Sequence, residues 1–130
     1  MTQQTSDRVM EGKNYRQNMM EKLSIEAGEA DTCKPEGEKD LYVQKLEKHI
    51  ESFKGYLDDM TEKSQGLEAD LRKQFDADKQ TLDDRIYDLK SRLDDIRKTS
   101  EDAWKDVGKG TTNALKELAE GFKSAASKFK

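Results

Sequence analysis

From Val43 to Val107 the apolar residues of this chain keep to a single helical stripe, and that stripe limits what the chain can become. Val43, Leu46, Ile50, Phe53, Leu57, Met60, Ser64 and Leu67 follow one another at alternating steps of three and four. Such spacing puts side chains on one face of an α-helix and leaves no alternation of period two for a strand. Leu71, Phe75, Asp78, Leu82 and Ile86 continue at longer steps, so that Ser64, Phe75 and Ile86 lie eleven residues apart. The shorter rhythm then resumes through Leu89, Leu93, Ile96, Ser100, Ala103 and Val107. An eleven-residue repeat winds opposite to a heptad, so the middle is predicted to run nearly straight between left-handed ends. Unbroken from Leu41 to Val107, this helix would be about 100 Å long at about 1.5 Å per residue.

Composition agrees with a stripe and disagrees with a thick core. Charged residues are 40% of the 130-residue chain and hydrophobic ones 32%, against roughly 25% and 45–50% in ordinary globular chains. The predicted class is therefore all-α: an elongated amphipathic helix or coiled coil, with a short C-terminal amphipathic helix and a flexible N-terminal region. Asp59–Lys63, Glu68–Arg72, Asp88–Arg92, Asp94–Lys98 and Glu101–Lys105 each set an acid four residues before a base. Each pair stabilises a helix by about 0.2–0.5 kcal/mol. The best site for an internal bend is Asp76–Gln80, where Asp78 interrupts the stripe without a Gly or Pro. Gly55 and Gly66 are single glycines, tolerated in a helix at about 1 kcal/mol relative to Ala. Self-association through the seam Val43, Leu46, Ile50, Phe53, Leu57, Met60, Leu67, Leu71, Phe75, Leu82, Ile86, Leu89, Leu93, Ile96 and Val107 is expected ahead of a hairpin.

The flanks read differently. Residues 1–39 are expected to be weakly structured, with Val9, Met10, Tyr15, Met19, Met20 and Leu23 marking a marginal helix interrupted by Gly12. Glu26 to Asp40, carrying Pro35 and Gly37, is predicted to be a flexible linker. Gly108-Lys-Gly-Thr-Thr-Asn113 predicts a helix stop and a fresh N-cap. Residues 112–130 then form a short helix with Leu115, Leu118, Phe122 and Phe129 on one side and lysines on the other.

Charge and motif content exclude several functions. A net charge of −4 with acids and bases interspersed lacks the basic stripe of a nucleic-acid binder. The tail is the exception: residues 108–130 carry five lysines against Glu117 and Glu120. With Trp104, Leu115, Leu118, Phe122 and Phe129, it can contact a partner or an anionic membrane surface. Cys33 is the single cysteine, which rules out an intramolecular disulfide; it reads as an exposed thiol or a redox-sensitive crosslink between chains. His49 is the single histidine and reads as a structural side chain flanking Ile50. Asp58-Asp59, Asp83-Asp84 and Asp94-Asp95 point apart on a helix and lack the glycine turn of a calcium loop. Gly108-Lys-Gly lacks the strand and spacing of a phosphate loop. No catalytic residue, cofactor, metal or small-molecule substrate is expected. Neither a spanning segment nor a signal-peptide pattern is visible, and a cytoplasmic location is the default.

Ala103-Trp-Lys-Asp-Val-Gly-Lys-Gly, Ala114-Leu-Lys-Glu-Leu and Ala125-Ala-Ser-Lys-Phe129, with Tyr15-Arg-Gln upstream, carry a resemblance. The chain resembles a family of small bacterial coiled-coil stress-response proteins with apolipoprotein-like helical repeats, most closely over residues 99–130. The resemblance implies an elongated all-helical fold and a stress-related role, with no catalytic or cofactor residues to carry over. Two functions follow as expectations. One is a non-enzymatic coiled-coil interaction protein that associates with itself or with other proteins. The alternative is a peripheral lipid-surface protein.

Overall fold

The seam breaks where its period changes. The computed structural model describes the backbone of residues 2–129 and the side chains of residues 15–129. Among these it contains four helices: α1 (Thr2–Thr32), α2 (Lys39–Lys63), α3 (Ala69–Lys98) and α4 (Trp104–Ala126). The expected single helix over 41–107 is thus corrected to two helices and the start of a third. Ser64–Gly66 forms a 3₁₀ turn, and Leu67 and Glu68 are extended with ψ of 152° and 156°. Ser64, where the heptad gives way to the eleven-residue spacing, is the turn residue; its hydroxyl donates to the Thr61 carbonyl at 2.6 Å. The stripe restarts on α3 with a new register because it faces new neighbours. Asp76–Gln80, the bend expected from sequence, lies inside α3, and Asp78 pairs there with Lys128.

The N-terminal third is also more regular than expected. The linker shrinks to residues 33–38, because α1 continues through Glu26 and Glu29 to Thr32. Gly37 takes φ of +70°, a conformation that a Cβ disfavours, and the chain reverses there. The side chains of Val9, Met10 and Gly12 lie outside the described residues. At the other join, α3 ends at Lys98 and is followed by the extended cap residue Thr99 (ψ 146°). Lys39 Nζ donates to the Thr99 and Arg97 carbonyls at 3.0 and 3.3 Å, placing a cation on the negative end of that helix.

The third correction concerns 108–113. No stop occurs there: α4 starts at Trp104 and runs through both glycines. Thr111 Oγ1 returns to the Val107 carbonyl at 2.9 Å, and Thr112 Oγ1 donates to the Cys33 carbonyl at 2.9 Å. Their hydroxyls are thereby satisfied without ending the helix. Gly108 lies under Pro35: a Cβ on it would be 2.6 Å from the Pro35 Cβ.

The helices run up, down, up and down. α1 packs on α4, α4 on α3 and α3 on α2, while α1 and α2 meet only sparsely. Three aromatic groups mark the length of the interior. Tyr15, Phe129 and Phe75 stack edgewise at one end, with centroids 5.2 and 5.3 Å apart. Phe53 meets Phe122 at 4.9 Å in the middle, and Tyr42 meets Trp104 at 5.6 Å at the far end. The oily stripe is thus covered by the chain's own helices.

Candidate functional site

Where α1 and α2 face each other, the bundle leaves a half-open cleft of about 420 Å³ lined by Glu26, Glu29, Thr32, Cys33, Lys45, Lys48, His49 and Ser52. Both helices contribute by simple periodicity. Glu26 and Glu29 are three apart on α1 and so share a face. His49 lies beside Ile50 on α2 and shares its burial, with 6% and 3% exposure.

Glu26 and His49 form the centre. The imidazole Nδ1 lies 2.7 Å from Glu26 Oε2, and the Tyr56 hydroxyl donates to Glu26 Oε1 at 3.4 Å. Burial, and the Glu26 carboxylate beside it, push the Tyr56 phenol above its usual range. Farther along the same seam Tyr15 donates to Asp59 Oδ2 at 2.7 Å. Burial above all, then that hydrogen bond, push its phenol up strongly. The α1–α2 seam is thus held by polar side chains, whereas the other helix pairs add such contacts at the margins of an apolar interior.

The expected exposure of Cys33 is corrected. Cys33 is buried, with 2% exposure, and burial pushes its thiol up against the opposing pull of Lys45. A thiol held protonated is a weak nucleophile. A carboxylate-oriented histidine is also half of a general-base pair. Among the described residues, however, no hydrogen bond joins it to Cys33 or Ser52.

The residues singled out in the sequence mostly face inward. Val43, Leu46, Ile50, Phe53, Leu57, Met60, Phe75, Leu82, Ile86, Leu89, Leu93 and Ile96 are buried, while Leu67 and Val107 are half-buried against them. Leu71 is half-buried. Trp104, Leu115, Leu118, Phe122 and Phe129, expected as membrane or partner contacts, are at most 4% exposed. In the closed bundle they are unavailable to either. The surface pairs are partly rearranged: Asp88–Arg92 forms at 2.8 Å, but Arg97 bridges Asp94 and, across helices, Glu47.

Sequence reasoning missed Glu26, Glu29 and Tyr42. The first two carried a helical signal, carboxylates three apart, hidden by reading their neighbourhood as a linker. Tyr42 precedes the first seam residue. Its hydroxyl lies 2.8 Å from Thr112 Oγ1 and 3.0 Å from the Gly108 carbonyl, both in α4.

No protein family, curated protein or solved structure matches this chain. Among the described residues, no helix is long and apolar enough to cross a membrane.

Proposed function

We propose that this is a non-enzymatic amphipathic-bundle protein that binds anionic lipid surfaces reversibly, parting α1 from α2 to present the apolar faces it keeps inside at rest. The observation that carries this reading is the unequal packing. Three neighbouring helix pairs are closely packed, and the fourth is bridged across a polar cleft. Parting α1 from α2 opens the most sparsely packed seam, at the cost of the α2–α4 contacts Phe53–Phe122 and Tyr42–Trp104, and leaves the helices joined in series. The most amphipathic element, α4, supplies Leu115, Leu118 and Phe122 on one side. Lys116 and Lys123 lie at its margins, half-buried. That arrangement suits adsorption at an interface, where apolar side chains enter and lysines meet headgroups. The apolipoprotein-like helical repeats expected of the family that the sequence resembles would point the same way.

Self-association through the seam loses its motive, since the side chains that needed cover have it. Association of closed bundles would rest on the charged exterior, where the exposed large apolar side chains among the described residues are Ile25, Leu41 and Tyr87.

The test fixes the seam. In a Cys33→Ser background, Glu29→Cys on α1 and Ser52→Cys on α2 are joined by a short bismaleimide, with chelator present throughout. Flotation with anionic vesicles should recover the unlinked protein, and the linked protein much less. Equal flotation of both forms rules out opening, and no flotation of the unlinked form rules out lipid binding.

A further inference from the structure

We propose that Glu26, Glu29 and His49 form a divalent transition-metal site, suited to zinc, that ties α1 to α2. One carboxylate oxygen from each glutamate and a ring nitrogen of His49 all lie within 4.8 Å of one another. A tetrahedral zinc ion with ligand bonds of about 2.0–2.2 Å holds its ligand atoms about 3.3–3.5 Å apart. The cluster reaches that spacing by small movements. The 2.7 Å contact between His49 Nδ1 and Glu26 Oε2 opens by about 0.6–0.8 Å to admit the ion. Glu29, exposed and three residues along the same helix, swings in to close the third side. The remaining coordination position faces the open cleft, where water completes the shell.

The donor set argues for the class of ion. An imidazole nitrogen with carboxylate oxygens suits zinc and its first-row neighbours, whereas calcium takes six to eight oxygens. Two carboxylates balance the charge of a divalent ion, and a near-buried carboxylate–imidazole pair already has its donors turned toward each other. Tyr56, on the second oxygen of Glu26, is the outer support that such ligands commonly have. Lys45 and Lys48 line the same cleft, and their like charge lowers the affinity.

Calorimetry with zinc chloride and visible spectroscopy with cobalt(II), both on the full chain, test the site. One ion should bind per chain, and the cobalt spectrum should show no thiolate charge-transfer band, since Cys33 is not a ligand. Glu29→Gln is the decisive variant because its exposed side chain makes no hydrogen bond among the described residues. It should leave the metal-free melt unchanged and weaken zinc at least about tenfold, the lower end of what even outer-sphere changes cost. His49→Gln should abolish binding, and Cys33→Ser should leave it intact. Absence of saturable binding, unchanged affinity in Glu29→Gln, or loss of binding in Cys33→Ser overturns the proposal, the first leaving a plain carboxylate–imidazole clasp. Zinc should also reduce vesicle flotation by closing the seam. That consequence rests on the lipid reading, whereas the binding itself does not.

Discussion

Gly108 and Gly110 lie two residues apart in the same helix, yet alanine should act on them in opposite directions. By propensity alone both substitutions gain about 1 kcal/mol, because glycine in a helix interior sacrifices that much relative to alanine. The tertiary surroundings separate them. At Gly110 a new Cβ meets only the end of the Arg92 side chain, at 3.4 Å, which moves aside freely. At Gly108 it would lie 2.6 Å from the Pro35 Cβ and 3.2 Å from its Cγ. A proline ring cannot rotate away, so the 33–38 turn must lift. Lifting it strains the Thr112–Cys33 hydrogen bond and the Tyr42 contact with the Gly108 carbonyl. Overpacking of this kind costs about 1–3 kcal/mol. Set against the propensity gain, Gly108→Ala should lose up to about 2 kcal/mol and Gly110→Ala should gain up to about 1 kcal/mol. Chemical denaturation with urea, followed by circular dichroism, measures both with the slope held as a check on two-state behaviour. Stabilisation by both variants would refute the close seating of Pro35 on α4, and with it the reason α4 carries a glycine there.

Other outcomes check the remaining contacts. Phe53→Ala removes a fully buried ring that meets Phe122; it should cost about 3–5 kcal/mol in the same urea titration. Lys39→Ala frees the carbonyls at the C-terminus of α3, and a loss of about 0.3–1 kcal/mol, diminishing in high salt, is expected. Burial first of all pushes the Tyr42 phenol up to about 12. Its ordinary value is near 10, so the unfolded chain releases that proton first, and stability should fall as pH rises between those values. Ultraviolet titration near the ordinary phenol range should be unchanged by Tyr42→Phe, which should instead remove a phenolate step at higher pH. The Cys33 thiol should react slowly with a disulfide reagent until denaturant is added; rapid reaction in the native state would contradict its burial.

Much of the core was legible before any coordinates, and the reason is geometric. A helix samples its surroundings every 3.6 residues, so any helix with one covered face writes its buried residues at steps of three and four. Val43 to Met60 and Leu82 to Ile96 are therefore identifiable whatever covers them. The cover itself leaves no trace in that period. A stripe shielded by a second molecule and one shielded by the next helix of the same chain have the same spacing, which is why a rod was expected where a bundle forms. The turn at Ser64–Glu68 escaped for a related reason: the apolar residues continue across it. It is marked only by the change from heptad to eleven-residue spacing and by Gly66, which the periodicity places within a helix but which lies in the turn.

The sequence by itself determined that the chain is helical, which residues turn away from water, and that the surface is charged. Tertiary structure decided the rest. It made Gly108 a contact point in place of a helix stop, buried Cys33, and turned the aromatic residues of α4 inward. It also brought Glu26 and Glu29 to His49 from the neighbouring helix. Local spacing fixes which face a side chain occupies, but the meeting of two faces depends on how whole helices pack. That choice is set by the summed burial of many side chains, and no short stretch of residues encodes it.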